Sequence, residues 1–282
     1  MAWLFCGKCT SNARLDDKVA VITGCNTGIG KITAMEFCKR GARVIMACRN
    51  LEKAKTAAED IRQQTADVKN AGEIVVKELN LASLKSIRQC AEDILASEEY
   101  IHLLVNNAGV MMCPRELTED GHELQFGTNH LGHFLFTMLL LPRISTHTWG
   151  DGDMHFDDIT LEKSYSPVAA YGRSKLANIL FTNELAKRLQ GTGVTTYSVH
   201  PGVIDTELSR HLDTAISPIV RRLYQSRLCT MFQKSPWQGA QTTLHCSLDE
   251  KLQSFWPKLL IERDFLIGTL EKYEDSVGYN RR

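Results

Sequence analysis

Two side chains in the stretch YGRSK could move a proton. Tyr171 and Lys175 stand four residues apart inside a helical pattern, so both project from one face of the helix. A free phenol titrates near ~10 and is a poor acid or base at neutral pH. An ammonium group held beside it favours the phenolate and brings that value down. The chain has seven tyrosines, so one such spacing is an ordinary coincidence, and the pair gains meaning only from its company.

The second chemistry lies near the start of the chain, in TGCNTGIGK (23–31). Gly24, Gly28 and Gly30 follow a short apolar run and precede a helical pattern. Glycines there permit a tight turn and let backbone N–H groups and a helix N-terminus approach a pyrophosphate. Between a strand and a helix, that trio points to dinucleotide binding. The end of the next apolar run selects the dinucleotide. An acidic residue about 20 positions after the glycines would hold the ribose 2′-hydroxyl of NAD. Arg49 occupies that place, in ACRN, and a guanidinium pairs with a 2′-phosphate, which favours NADP(H).

These groups need a scaffold, and the chain spells one out. Strands are expected at KVAVIT (18–23), ARVIMAC (42–48), EIVVKEL (73–79), HLLVN (102–106) and VTTYSVH (194–200). Helices are expected at 33–41, 51–64, 81–97 with Ser83 as N-cap, along the run SPVAAYGRSKLANILFTNELAKRLQ closed by Gly191, and at 237–252. The stretch 205–237 reads as loop with short amphipathic pieces. Such alternation implies an α/β fold with a doubly wound parallel sheet covered on both faces, a three-layer αβα domain. No repeat or linker divides the chain, so one domain is expected over 15–250, with a short segment 1–14 before it and an atypical tail at 251–282.

Composition removes several alternatives. Lys+Arg and Asp+Glu both total 33, and this balance argues against a nucleic-acid partner. The nine cysteines form no even framework, as expected of reduced thiols. Cys6 and Cys9 make a lone C-x-x-C; free thiols fit it best, with lipidation as the alternative, because zinc wants a second pair. His130, His133 and His200 lack carboxylate partners at ligand spacing, so packing and hydrogen bonding are expected of them and no metal site. The first residues show no run of the ~18 residues a spanning helix needs and no signal-peptide layout.

TGCNTGIG (23–30), NNAG (106–109), NHLGHF (129–134), YGRSK (171–175) and HPGVIDT (200–206) occur in that order. Together they resemble the short-chain dehydrogenase/reductase family, and within it the NADP-dependent retinol dehydrogenases, over about residues 15–250. NNAGVMMCP, NHLGHFLFT and QGAQTTLHCSL carry the closer likeness. The resemblance implies a Rossmann-like fold and the interconversion of retinal, or a related lipophilic aldehyde, with its alcohol. It implies that Tyr171 is the general acid, that Lys175 binds the nicotinamide ribose and lowers the Tyr171 pKa, and that Asn129 holds a water of the proton relay. It implies that Gly24, Asn26, Thr27, Gly28, Ile29 and Gly30 cradle the cofactor, that Asn80 and Leu81 face the adenine, and that Asn107, Ala108 and Gly109 line the adenosine side and support the central strand. Pro201, Gly202, Val203 and Thr206 would sit against the nicotinamide. A homodimer along the helix after Tyr171, a peripheral membrane contact and the cytosolic face of the endoplasmic reticulum follow from the same likeness. A cytoplasmic location follows instead if the family's N-terminal anchor is truly absent.

One stretch departs from the family pattern. The family carries a serine at the end of a fifth strand that orients the substrate carbonyl. Here 16 positions separate Asn129 from Ser145, and they must hold a helix, a turn and a strand. A strand averages about 5–6 residues and a helix-to-strand connection about 2–6. Either ISTHTW (144–149) acts as a makeshift strand, with Ser145 or Thr146 near the catalytic position, or the strand is missing. With the altered tail, the second case implies a nucleotide-binding but catalytically impaired splice form or pseudoenzyme.

Overall fold

A computed structural model describes residues 7–144, 165–202, 204, 208, 233–249, 252 and 259–261. The first half follows the expected alternation: β1 (Val19–Thr23), α1 (Gly28–Lys39), β2 (Arg43–Cys48), α2 (Leu51–Thr65), β3 (Ile74–Glu78), α3 (Leu84–Ser97) and β4 (Leu103–Val105). The glycines of 23–31 do not only precede the first helix. Gly28 and Gly30 form its first turn, so α1 begins earlier than the apolar periodicity suggests.

The four strands are parallel, in the order β3-β2-β1-β4, with Val21 beside Ile45 on one side and Leu104 on the other. Alternate side chains serve opposite faces. Ala20, Ile22, Val44 and Met46 pack with Phe37 of α1 and Ile61 of α2. They also meet Leu244 of a later helix, the expected 237–252 segment, observed at Pro236–Leu248. Val21, Ile45 and Ala47 pack with Ile87 and Ile94 of α3 and with Phe136 and Leu140 on the opposite face. Both faces of the sheet are thus covered, which produces the three layers.

Phe136 belongs to a long helical segment that begins with α4 (Leu124–Phe126), passes through a π-helical turn (Gly127–Leu131) and continues as α5 (Gly132–Ile144). The helix does not stop at Pro142. Proline forfeits one helical hydrogen bond, to the carbonyl of Met138, and Met138 is 37% exposed on the solvent side. Ile101 N–H donates to the Arg143 carbonyl (3.1 Å), which pins the end of α5 beside the entrance to β4. Ile144, the first residue of the stretch 144–149, therefore closes a helix. Ser145 and Thr146 lie outside the described residues, and among the described residues no strand pairs with the outer edge of β4.

The chain resumes in α6 (Pro167–Arg188), capped by Ser166, whose Oγ accepts from Ala169 N–H. β5 (Ser198–His200) is shorter than the expected 194–200 and pairs in parallel with β6 (Leu259–Ile261), a strand from the tail. The last helix, α7 (Pro236–Leu248), starts with a Ser235–Gln238 capping box. The early segment docks against α7: Cys9 N–H donates to Gln241 Oε1 (3.0 Å), and Ser11 Oγ–H donates to the Leu248 carbonyl (2.8 Å). No helix among the described residues is long and apolar enough to cross a membrane.

Phe136 is fully buried between α5 and the sheet. Phe136→Ala is expected to destabilise the fold by about 3–5 kcal/mol, read from urea unfolding midpoints.

Candidate active site

The strand order places a crevice where β1 and β4 part, because the connections from β1 and from β3 leave in opposite directions. Parallel α/β sheets bind ligands at such switch points, at the carboxyl ends of their strands. β1 ends there at Thr23 and β4 continues there into Asn106 and Asn107. Gly24 lies at φ +62°, and a Cβ on it would stand 2.7 Å from the Ala108 Cβ. A Cβ on Gly30 would stand 2.5 Å from Asn107 Nδ2. Only glycine permits this approach, and it brings the start of α1 up to the turn.

That helix start fits an anion. Asn50, Ser83, Ser166 and Ser235 each cap the helix behind them with a side chain. Thr27 makes no such cap bond on α1, and the first turn of α1 carries no acidic residue. Its leading N–H groups and dipole thus face the turn, as a phosphate requires. Arg49 follows the last residue of β2 and is exposed. β2 is tied to the same turn by Gly24 N–H, which donates to the Ala47 carbonyl (2.9 Å).

Thr23 organises this edge. Its Oγ1 accepts from Asn107 N–H and Ala108 N–H, both at 3.0 Å, and lies 2.9 Å from His133 Nε2. With both lone pairs taken, the hydroxyl proton goes to His133 Nε2. The ring must then carry its own proton on Nδ1, which donates to the Asn129 carbonyl at 3.0 Å. His133 is thus a neutral imidazole in one tautomer. Asn107 completes the joint, donating through Nδ2 to the carbonyls of Thr23 (2.9 Å) and Gly24 (3.1 Å).

Asn129 sits in the π-helical turn and is buried. Its Oδ1 accepts from Val110 N–H (2.8 Å), and its Nδ2 donates to the Val110 carbonyl (2.9 Å) and Ser174 Oγ (3.1 Å). Ser174 in turn donates to the Tyr171 carbonyl (2.8 Å). The Asn129 carbonyl also accepts from Asn178 Nδ2 (3.0 Å), so protein groups engage both ends of this residue. A Cβ on Gly109 would lie 3.4 Å from Asn129 Oδ1 and 3.9 Å from Lys175 Nζ. The fold therefore gathers Gly109, Asn129, Tyr171 and Lys175 at one place, next to the glycine turn.

The electrostatics there differ from the expectation. Lys175 Nζ lies 5.2 Å from the centre of the Tyr171 ring, a cation–π distance. Burial raises the Tyr171 phenol above its ordinary value and lowers the Lys175 ammonium below its own. The downward pull of the lysine is not the dominant effect, because both groups lose water on entering the same partly buried site. Behind them, Gln125 Nε2 donates to Tyr165 OH (2.9 Å) and to the Pro167 carbonyl (3.1 Å), and Gln125 Oε1 accepts from Met112 N–H (2.8 Å). This clasp fixes the start of α6 against the NNAG loop.

Other expected site residues are placed less tightly. Asn80 Oδ1 accepts from Ala82 N–H (3.1 Å), an Asx turn that leaves a second lone pair on that oxygen. The Leu81 side chain is buried in the core, so it can face an adenine only through its backbone. Asn26 and Ile29 are partly buried at the turn. Gly202 follows Pro201 at φ +89°, and its N–H donates to His200 Nδ1 (3.1 Å). Ser145, Val203 and Thr206 lie outside the described residues. His130 donates through Nδ1 to Asn178 Oδ1 (2.9 Å) and packs among Phe126, Phe134 and Phe181. Thr23, Gln125, Ser174 and Asn178 were not singled out in the sequence. The available signal was their polarity at positions where the pattern is otherwise buried.

His133 is fully enclosed, and burial pushes its pKa down to about 4. A histidine depressed in the folded state contributes stability above its unfolded value near ~6.5, lost as pH falls toward the folded value. Unfolding free energy is expected to drop by about 3 kcal/mol between pH 7 and pH 4 on this account. His133→Gln should remove that part of the slope in urea titrations.

Residues 18–216 match the short chain dehydrogenase family. The chain is 51% identical to Retinol dehydrogenase 11 of Mus musculus over 259 residues, 88% of this chain and 78% of the relative. It is 51% identical to Retinol dehydrogenase 12 of Homo sapiens over 258 residues, again 88% and 78%. Among solved structures, an uncharacterised protein from Mycobacterium Paratuberculosis matches with a TM-score of 0.64 and 33% identity, covering 87% of this chain and 81% of that one. An NADP active-site complex of Pseudomonas aeruginosa RhlG shares the fold, with a TM-score of 0.66 at 20% identity over 88% and 95% of the two chains. The chain belongs to the short chain dehydrogenase family of oxidoreductases.

Proposed function

We propose that this chain is an NADP(H)-dependent reductase of retinal, or of a related lipophilic aldehyde, acting reversibly toward the alcohol. The observation that carries the reading is the gathering of Tyr171, Lys175 and Asn129 beside an uncapped helix start. The retinol dehydrogenase relatives supply the substrate class. The α1 N-terminus and the Gly24 turn would hold the pyrophosphate, and Arg49 the 2′-phosphate that separates NADP(H) from NAD(H). When bound, the cofactor supplies the hydride.

The chain's own residues supply the proton. Burial keeps the Tyr171 phenol protonated, the form that can donate to a carbonyl oxygen as negative charge develops there. Burial also weakens the hold of Lys175 on its proton, which suits it to replenish Tyr171. Asn129 and Ser174 fix the Tyr171 turn of α6 through hydrogen bonds to Val110 and to the Tyr171 carbonyl.

A second reading has its own observation. α5 takes up Pro142, Arg143 and Ile144, the residues available for a strand before Ser145. A chain without the substrate-orienting hydroxyl would bind the dinucleotide and turn over poorly. For Lys175, Asn129 and the turn to serve either reading, the cofactor site must be intact, so one sample decides. Retinal-dependent NADPH oxidation is expected, with Tyr171→Phe lowering kcat at least about a hundredfold and leaving NADPH binding in place. Binding with equal, negligible turnover in both proteins would favour the impaired form. Arg49→Leu should weaken NADPH about tenfold or more and leave NADH unchanged, as loss of a charge-assisted pair predicts.

Val168, Leu176 and Leu180 are 58%, 38% and 50% exposed along one stripe of α6. Their exposure supports a homodimer across this helix, and a lipophilic substrate fits peripheral contact with the cytosolic face of the endoplasmic reticulum. Sedimentation is expected to show a dimer that Leu180→Glu converts to monomer.

A further inference from the structure

We propose that His133 is a positioning residue for hydride transfer, holding the dinucleotide turn at a fixed distance from the helix that carries Tyr171. The inference rests on the reductase reading above and adds a residue to it. His133 touches none of the groups that would react. It stands instead at a joint where two hydrogen-bond systems meet, bridging them directly from α5. On one side, Thr23 gathers the end of β1 and the backbone of Asn107 and Ala108. On the other, Asn129 gathers Val110, Ser174 and Asn178, and Ser174 reaches the Tyr171 carbonyl.

The direction of every bond in this strut is set. Thr23 accepts twice and so must donate to Nε2; Nδ1–H must then donate to the Asn129 carbonyl. A reversed tautomer would leave two donors facing each other at Thr23 and two acceptors at Asn129. Such a fully satisfied buried network holds one geometry. The π-helical turn contributes by shifting the register of the helix, where Gly132 N–H bonds back to the Gly127 carbonyl. Its effect is that the Asn129 carbonyl meets side chains of His133 and Asn178. An apolar side chain at 133 would fill the space and still cut the strut, leaving the Thr23 proton buried without an acceptor.

The test compares His133→Asn and His133→Gln with the wild type. Asparagine can keep the short bond to the Asn129 carbonyl but falls short of Thr23; glutamine reaches Thr23 in place of Nε2. Melting temperature establishes folding, NADPH fluorescence gives Kd, and retinal reduction gives kcat, KM and the isotope effect with 4-deuterated NADPH. Misplacement of about 1 Å costs up to about a hundredfold in rate. His133→Asn is therefore expected to lower kcat about tenfold to a hundredfold and enlarge the isotope effect, with KM and Kd within about threefold of wild type. His133→Gln should recover most of kcat. Wild-type kcat and isotope effect in His133→Asn, whatever its melting temperature, would overturn the positioning role alone. Wild-type protein that binds NADPH without turnover, or does not bind it, would overturn this role together with the reductase reading.

Discussion

The hydroxyl of Thr23 is the point on which the ligand-facing edge of this protein depends. It ends the central strand, accepts from two successive backbone N–H groups after β4, and donates to His133. Those N–H groups belong to the loop that leaves β4, where Asn107 N–H is shared between Thr23 Oγ1 and the Val105 carbonyl (3.0 Å) and Ala108 N–H donates to Thr23 Oγ1. Thr23 is itself fully buried, and a buried hydroxyl without partners would cost about 1–3 kcal/mol; here it accepts from both N–H groups while using its own proton. The glycine turn can then pack against Ala108, and the loop can pass on to Gly109 beside Asn129 and Lys175. The carboxyl end of β1 and the loop after β4 are held together because one short side chain bonds to both.

A competition between two structures for the same residues governs the other side of the site. The run LGHFLFTMLLL is apolar enough to serve a helix or a buried strand. Phe136 and Leu140 settle it as helix, because they fill the face of the sheet opposite α1 and α2. The helix then absorbs Pro142 through Ile144, and the bond from Ile101 to the Arg143 carbonyl holds its far end near the entrance of β4. Residues that cover the sheet cannot also extend it. This is the physical reason that family membership and catalytic competence are separate statements for this chain. The turn, the loop and the helices that carry the family likeness are built, while the proposed activity needs more than these elements.

Burial shapes the acid–base groups more than pairing does. Tyr171 and Lys175 share a partly buried site in which each is driven toward its neutral form. His133, held neutral by the same enclosure, contributes geometry and no charge.

Much of this was legible in the sequence. The parallel α/β order, the glycine turn, Ser83 as a helix cap and the shared face of Tyr171 and Lys175 all follow from local rules: periodicity, capping and the backbone freedom of glycine. The sequence also showed that 16 positions between Asn129 and Ser145 were tight for a helix, a turn and a strand. It did not show which element would take them, since helix and strand draw on the same apolar residues and only packing against the sheet distinguishes them. Nor could it pair Thr23 with His133, which are 110 positions apart, or turn a histidine in an apolar run into a link between two halves of a site. Contacts at that separation leave no local pattern. Their geometry is set only when the strands and helices have closed around them, and in this protein that closure decides where the chemistry can occur.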